Sequence, residues 1–349
     1  PSSWPGTIQA TASEATLSAI LSAREQVTDF TVNERGLQGH PHLRVYASKQ
    51  IHSSIEKAVK IAGLGKENFV PIPTDSDYAM DAELLEEAIL RDQKEGNIPT
   101  CIIVGLGTTG STAIDPLKKI VALAKEHKIW VHVDAAYAGT AMMLHEHRHM
   151  LEGIEQADSF VVNPHKWMMV NFDCSCYFVK DKGALIRTFE ILPEYLKTNA
   201  DQQVNNYRDW GIPLGRRFRA LKLWFVMRNF GADHIRRTIR NHITWAQEVA
   251  AEIRNHDEFE LLAPVPFNLV CFRFAPSGLN LQELNELNKS IVERIKGSGT
   301  LYLTHTVLSG KYTIRLVAGQ TYMEKEHLKR AWTFIQETAK DVYAETLPS

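Results

Sequence analysis

The sequence contains little cysteine and no long apolar run. Four cysteines occur in 349 residues, namely Cys101, Cys174, Cys176 and Cys271. No further Cys or His cluster completes a zinc site around them, so we expect no metal. Reduced thiols in the core of a cytoplasmic protein are the expected state. No apolar stretch reaches the ~18 residues that a membrane-spanning helix needs, so we expect no membrane partner.

An excess of charge of one sign is also lacking. The chain carries 39 lysines and arginines against 41 aspartates and glutamates, a net charge of -2. This balance provides no electrostatic footprint for nucleic acid or for an anionic membrane surface. The apolar fraction of 44% is that of a globular protein. At this length we expect a large domain with a smaller companion.

A lysine follows a predicted buried strand. Residues Ser159–Val162 are strand-like, and Lys166 stands between them and the apolar stretch Trp167–Val170. Desolvation at such a place lowers the pKa of a lysine, and the neutral amine can form a Schiff base. The alternative is a strand-end lysine whose ammonium reaches solvent.

A carboxylate follows a second predicted strand. Residues Ile129–Val133 lead directly into Asp134, and ligands of open α/β sheets bind beyond the carboxyl ends of strands. Asp134 could instead cap a helix. Pyridoxal phosphate requires an amine for its aldehyde and a carboxylate for its pyridine nitrogen. Lys166 and Asp134 together therefore favour this cofactor.

Other residues are candidates for the same site. The helix predicted from Ala12 to Glu25 offers backbone N–H groups and hydroxyls to a phosphate, although Thr11 and Glu14 could simply form a capping box. His52 could stack on an aromatic cofactor or lie on the surface. Thr109 could bind a cofactor oxygen or belong only to a turn.

A polar, proline-interrupted stretch at 192–201 contains the prominent Tyr195. Mobile loops often close over active sites and bring one catalytic group with them. The alternative is an inert surface loop.

The order of predicted elements indicates the fold. Strands alternate with helices up to residue 228, which predicts an α/β domain with a mainly parallel, doubly wound sheet. Residues 229–349 predict a smaller C-terminal α+β domain. Within this pattern we also predict a helix over 212–230 whose basic face is either solvated or forms intersubunit ion pairs. We further predict a strand at 301–304 and an Asp115 cap on the helix that ends near His127.

Several motifs resemble those of one family. They are IQATASEAT at 8–16, VDAAYAG at 133–139, NPHKW at 163–167, NFDC at 171–174 and IPLGRRFR at 212–219. In this order and spacing they resemble the aromatic L-amino-acid decarboxylases. These are pyridoxal phosphate enzymes of the aspartate-aminotransferase fold, called fold type I. The resemblance extends from about Gly6 almost to the C-terminus.

The resemblance implies a role for each matching residue. Lys166 would bond the cofactor aldehyde, and Asp134 would partner the pyridine nitrogen. His52 and Ala136 would cover the two faces of the ring, and Thr109 would support the ring hydroxyl. The phosphate would be held by Ala12, Ser13 and Asn163, with His165 beside them. Tyr195 would donate a proton to the α-carbon after carbon dioxide leaves.

The resemblance also implies the reaction and the assembly. The expected reaction is decarboxylation of tyrosine, DOPA, tryptophan, 5-hydroxytryptophan or phenylalanine to the amine, in a homodimer with its active site at the subunit interface. Aldehyde-forming relatives carry phenylalanine where this chain has Tyr195, and histidine decarboxylases often carry serine where it has Gly215 and His165.

Alternatives to this reading remain. They are a histidine decarboxylase, an aromatic aldehyde synthase, a fold-type I aminotransferase and an inactive truncated homologue. The last is considered because family members carry an N-terminal helical segment that nothing in this sequence matches. We therefore expect 1–228 to be the cofactor-binding domain without that segment.

Overall fold

The computed structural model describes residues 3–191 and 204–346. The chain divides into two compact units, the first made of Pro1–Thr108 and Ile114–Ala232. The second contains Thr109–Ala113 and Asp233–Ser349. The short loop at 109–113 belongs with the second unit, which the sequence did not indicate.

The first unit contains most of the strands. They are β1 (Gly6–Gln9), β2 (Leu43–Ser48), β3 (Phe69–Ile72), β4 (Ile98–Gly105), β5 (Trp130–Asp134), β6 (Ser159–Val162) and β7 (Ser175–Val179). Its helices are α1 (Ala12–Val27), α2 (Thr31–Arg35), α3 (Ser54–Ile61), α4 (Ala82–Lys94), α5 (Leu117–His127), α6 (Pro164–Trp167), α7 (Lys182–Phe189) and α8 (Ala220–Phe230).

These strands form one seven-stranded sheet in the order β1-β7-β6-β5-β4-β2-β3. The strands from β3 across to β6 pair in parallel. Only β7 and β1, at one edge, pair antiparallel with their neighbours. The predicted α/β class with a mainly parallel sheet is confirmed.

Helices cover both faces of the sheet because successive strand residues point to opposite sides. On one face, α1, α3 and α7 pack against a set of strand residues that includes Cys101, Trp130 and Val161. On the other face, α4 and α5 pack against residues such as Ile102, Val131 and Val133. This is the doubly wound arrangement that the alternation predicted.

Helix α1 lies close to the sheet because most of its buried positions are small or aliphatic. They include Ala15, Ala19 and Ala23, together with Ile20. Thr11 precedes the helix in extended conformation, and its side chain accepts a hydrogen bond from the Glu14 N–H.

The second unit contains a four-stranded antiparallel sheet in the order β10-β11-β9-β8. Its strands are β8 (Phe259–Leu261), β9 (Leu269–Phe274), β10 (Thr304–Leu308) and β11 (Lys311–Val317). Its helices are α9 (Ala232–Arg254), α10 (Leu281–Gly297) and α11 (Lys325–Thr346). Aromatic residues, among them Phe259, Phe272 and Trp332, fill its core. The predicted α+β character is confirmed.

Two local predictions differ from the structure. The helix predicted over 212–230 begins only at Ala220, because Pro213 and Gly215 interrupt it. The strand predicted at 301–304 is wrong: Leu303 is buried in the core of the second unit, but strand pairing begins at Thr304. Among the described residues, no helix has the length and apolarity needed to cross a bilayer.

The predicted helix cap at Asp115 is also wrong. Its carboxylate instead accepts hydrogen bonds from the N–H groups of Met80, at 2.7 Å, and Gly105, at 2.7 Å. One oxygen serves each donor. The buried side chain thereby ties the end of β4 to the turn before α4.

We expect Asp115→Asn to lower the free energy of unfolding by about 1–3 kcal/mol, because the amide nitrogen would face one of these two N–H donors. Burial raises the pKa of Asp115 to about 7, so urea unfolding is measured above that pH. The control is Asp81→Asn, since a single oxygen of Asp81 accepts from both Glu83 and Leu84. Asparagine caps a helix as well as aspartate does, so Asp81→Asn should change the free energy of unfolding little. Equal losses of stability in the two variants would contradict our interpretation of Asp115.

Candidate active site

Lys166 and Asp134 lie at the carboxyl ends of two adjacent parallel strands. Asp134 is the last residue of β5 and is in register with Val161 of β6. Lys166 lies in α6, the single turn of helix that follows β6. Parallel pairing therefore brings the two side chains to one edge of the sheet, as the sequence predicted.

The pKa of the Lys166 ammonium is lowered. Its side chain remains accessible to solvent, but the protein atoms around it desolvate the charge, and this effect exceeds the opposing attraction of the Asp134 carboxylate. Lys166 therefore has a larger neutral fraction than an ordinary surface lysine at the same pH. A neutral amine is the nucleophile that an aldehyde requires.

The Asp134 carboxylate is held by the backbone that follows it. One oxygen accepts a hydrogen bond of 3.0 Å from the Ala136 N–H. No α-helix begins here: the chain turns and continues as a 3-10 helix at Ala138–Met143. The second carboxylate oxygen is therefore not needed to cap an α-helix, which was the alternative reading of Asp134.

The turn that carries Lys166 is tied to the Asp134 turn. The Asn163 N–H donates to the Ala136 carbonyl at 3.0 Å, and the Lys166 N–H donates to the Asn163 carbonyl at 2.9 Å. The rings of Tyr137 and Trp167 stack with centroids 5.1 Å apart. Each of the two turns therefore fixes the other.

Asn163 is almost fully buried, and its side-chain oxygen accepts a hydrogen bond from Ser175 on β7. Ala136 is buried in the turn directly after Asp134. Both residues predicted for the cofactor site therefore lie in the two linked turns that carry Asp134 and Lys166.

Two histidines of the site are held as one neutral tautomer. Backbone N–H groups donate to Nδ1 of His52, from Ser54 at 3.1 Å, and to Nδ1 of His165, from Cys174 at 2.8 Å. Because a backbone N–H can only donate, Nδ1 must be the acceptor, and the ring proton lies on Nε2. Each ring therefore keeps one N–H donor for other partners.

Burial lowers the pKa of both His52 and His165, and Lys166 lowers both further. Asp134 opposes this shift at His52. His52, Lys166 and Asp134 therefore influence one another electrostatically, which places them in one group.

The start of α1 combines capping with an open N-terminus. Thr11 Oγ1 accepts from the Glu14 N–H at 3.4 Å, while the Glu14 carboxylate accepts from the Ala10 N–H at 3.0 Å. Ala12 and Ser13 form the first positions of the helix, and Ser13 is exposed. The positive end of this helix remains suited to an anion.

Two predicted site residues are not placed in this group. Thr109 belongs to the second unit, where its carbonyl accepts a hydrogen bond of 2.7 Å from Arg315. Tyr195 lies outside the described residues. Their predicted roles stay predictions.

Sequence reasoning missed two polar groups beside the site. Asp173 forms a bidentate ion pair with Arg219, at 3.0 and 3.1 Å, and lies 3.7 Å from Lys222. Arg219 and Lys222 are therefore paired within the chain, where we predicted a solvated face or intersubunit pairs. His132 was also missed, although its place two residues before Asp134 on a strand indicates the same face of the sheet.

The donor set fits pyridoxal phosphate. Lys166 offers an amine with a lowered pKa, Asp134 a fixed carboxylate, and α1 the N–H groups of a helix start. No group of His, Cys, Asp and Glu residues within 3–191 and 204–346 could hold a metal ion.

Replacing the carboxylate tests the electrostatics of the pair. In Asp134→Asn the pKa of Lys166 should fall further, because the attraction that opposes desolvation is lost. The pH dependence of Lys166 acylation, followed by peptide mass spectrometry, should therefore move to lower pH. As a control, Glu152→Gln removes the same charge from a surface pair with Lys118 and should leave the pH dependence of Lys166 acylation unchanged. A shift toward higher pH in Asp134→Asn would contradict the pairing of Asp134 with Lys166.

Comparison with known proteins agrees with this geometry. The family described as "Pyridoxal-dependent decarboxylase conserved domain" matches residues 3–275. Tyrosine decarboxylase 2 of Narcissus pseudonarcissus is 44% identical over 338 residues, which cover 96% of this chain and 67% of that protein. Phenylacetaldehyde synthase of Arabidopsis thaliana is also 44% identical, over 96% of this chain and 68% of its own length.

The structure shows the same relationship. The crystal structure of Oryza sativa TDC with PLP and tryptamine superimposes with a TM-score of 0.93 at 37% identity, covering 97% of this chain and 70% of that one. The chain thus spans about two thirds of the length of the curated relatives it matches. With its fold and its amine–carboxylate pair, the chain belongs to the pyridoxal-dependent decarboxylase family.

Proposed function

We propose that this chain decarboxylates an aromatic L-amino acid, releasing the arylalkylamine and carbon dioxide. The observation that carries the proposal is the pairing of Lys166, whose pKa is lowered, with Asp134 at one edge of the sheet. Relatives named tyrosine decarboxylase and tryptophan decarboxylase support the aromatic substrate.

When bound, pyridoxal phosphate supplies the electron sink for the electron pair that carbon dioxide leaves behind. Asp134 would keep the proton on the pyridine nitrogen, because its carboxylate stabilises a positive charge beside it. Lys166 would hold the cofactor aldehyde through its neutral amine. Ala12 and Ser13 would hold the phosphate at the start of α1 together with Asn163.

The neutral histidines suit this arrangement. A cationic imidazole would repel a protonated pyridine ring stacked against it. The lowered pKa of His52 favours the neutral imidazole. His52 can therefore cover one face of the ring while Ala136 covers the other. His165 retains an N–H for the phosphate side.

A second product class needs to be tested. The phenylacetaldehyde synthase of Arabidopsis thaliana is as identical to this chain, at 44%, as tyrosine decarboxylase 2 is, so aldehyde formation is the alternative within the family. Tyr195 favours the amine, because the resemblance assigns it the proton donor to the α-carbon. Gly215 and His165 favour the aromatic branch over histidine decarboxylation.

The test begins with cofactor binding. The purified protein mixed with pyridoxal phosphate should develop a visible absorption band, and Lys166→Ala should lose it. Lys180→Ala removes an exposed lysine after β7 and should keep the band.

Product analysis then tests the reaction. Tyrosine, DOPA, tryptophan, 5-hydroxytryptophan, phenylalanine and histidine are screened for amine, aldehyde and keto-acid release. We expect amine from an aromatic substrate. Keto acid would instead indicate an aminotransferase, and histamine a histidine decarboxylase. Turnover that survives in Lys166→Ala would refute the proposal.

The role of Tyr195 can be tested by removing its hydroxyl. In air, we expect Tyr195→Phe to release less amine and more aldehyde from the same substrate. Without its proton donor the α-carbon is open to oxidation by dissolved dioxygen, which would be reduced to hydrogen peroxide while the nitrogen leaves as ammonia. Chromatography of both products measures the ratio. Tyr207→Phe, which removes another tyrosine hydroxyl, serves as the control. An unchanged ratio of amine to aldehyde in Tyr195→Phe would argue against this role.

We also propose that the chain forms a homodimer. No residue of α8 is buried, and Phe218, Trp224 and Phe225 are 75%, 54% and 56% exposed. Contiguous apolar surface of this kind marks an interaction site. A second copy is the partner that the family resemblance implies, with the active site near the subunit interface.

Introducing charge tests this face. Trp224→Glu combined with Phe225→Glu should convert the dimer to a monomer, because carboxylates would be buried without partners. Sedimentation equilibrium measures the mass. Tyr322→Glu, at an aromatic residue that is 82% exposed in the second unit, should remain dimeric. A dimeric double variant would exclude α8 from the interface.

A further inference from the structure

A buried histidine lies in the sheet beneath the Asp134 carboxylate. His132 precedes Asp134 by two residues on β5, so both side chains point to the same face. That face is covered by α1, and His132 is fully buried under it. The protein therefore places a titratable ring between the phosphate-binding helix and the strand that carries Asp134.

Both ring nitrogens of His132 have hydroxyl partners. Nδ1 lies 2.9 Å from Ser159 Oγ on β6, and Nε2 lies 3.4 Å from Thr16 Oγ1 on α1. The indole N–H of Trp130 donates to the same Ser159 hydroxyl at 3.0 Å. His132 thus connects β5, β6 and α1 through polar contacts.

The ring is neutral in this environment. Burial lowers the pKa of His132 to about 4, although Asp134 opposes the shift. A neutral imidazole has one donor and one acceptor, and a hydroxyl can serve either. The contacts can therefore be satisfied without placing a second cation beside Asp134.

Helix α1 runs against the direction of β5. Its last residues, such as Ala23 and Val27, line a cavity of about 550 Å³ together with Ile129 and Trp130 at the start of β5. Thr16 lies opposite His132, one turn after Ala12. The four helical residues from Ala12 to Thr16 rise about 6 Å, and two strand residues rise about 6.6 Å. The start of α1 is therefore level with Asp134.

We infer that His132 is a positioning residue that sets the separation between the α1 N-terminus and the Asp134 carboxylate. The inference rests on the proposed function, because these two groups would hold opposite ends of the cofactor, the phosphate and the pyridine nitrogen. A ligand that reaches both ends depends on their separation. A ligand that reaches only the Asp134 end does not.

Pyridoxal, which lacks the phosphate, separates the two cases. His132→Phe keeps a ring but removes both polar contacts, and Thr16→Val removes one of them. In each variant the dissociation constant for pyridoxal phosphate should rise about tenfold, the effect of one or two lost hydrogen bonds. The dissociation constant for pyridoxal should change little. His132→Gln, whose amide can still reach Thr16, should recover part of the loss.

Absorbance titration of the purified apoprotein measures both constants, and thermal unfolding of the same samples measures stability. Ile20→Val is the control, since Ile20 is buried one turn beyond Thr16 on α1 and has no polar partner to lose. It should lower the melting temperature slightly and leave the ratio of the two constants unchanged.

Each outcome is decisive. A selective loss of phosphate-dependent affinity in His132→Phe and Thr16→Val supports the inference. An unchanged ratio, with only a lower melting temperature, overturns it and assigns His132 to stability alone. A wild-type protein that binds neither compound would instead refute the proposed cofactor, a failure visible before any variant is compared.

Discussion

The attraction between one amine and one carboxylate, opposed by desolvation, is the constraint on which the site depends. Lys166 is surrounded closely enough to lose part of its hydration, and Asp134 is near enough to offset only some of that loss. If the carboxylate dominated, the lysine would remain a cation and a poor nucleophile. The parallel pairing of β5 with β6 maintains this balance by placing both groups at the same edge.

The surrounding residues make that placement rigid. The turn after β5 and the turn after β6 share a backbone hydrogen bond between Asn163 and Ala136, and the Tyr137 and Trp167 rings stack between them. Beneath them, His132 connects both strands to α1. Groups held in place before a ligand arrives need no reorganisation when charge develops, which is the usual origin of catalytic electrostatics.

The charges around the site follow one pattern. His52, His165 and His132 all have lowered pKa values because they are desolvated, and Lys166 contributes at the first two. Arg219, a nearby cation, is paired with Asp173. The site thus has one carboxylate and neutral rings that suit a pyridinium. The positive end of a helix suits a phosphate.

The sequence by itself determined what depends on near neighbours in the chain. Periodicity predicted the alternation of strands and helices, and the motifs around Asp134 and Lys166 identified both strand ends. Thr11 was predicted as a cap because capping involves only residues within one turn.

Only the tertiary structure decided which distant groups meet. Asp115 accepts a hydrogen bond from an N–H group 35 residues away, and His132 contacts a hydroxyl 116 residues away. The unexpected pairing of β1 with β7 brings the start of the chain beside the last strand of the sheet. The side-chain pattern of a strand or helix specifies which face is buried, but not which element covers it, because many elements present equally apolar faces. The partner is selected by the packing of the whole chain.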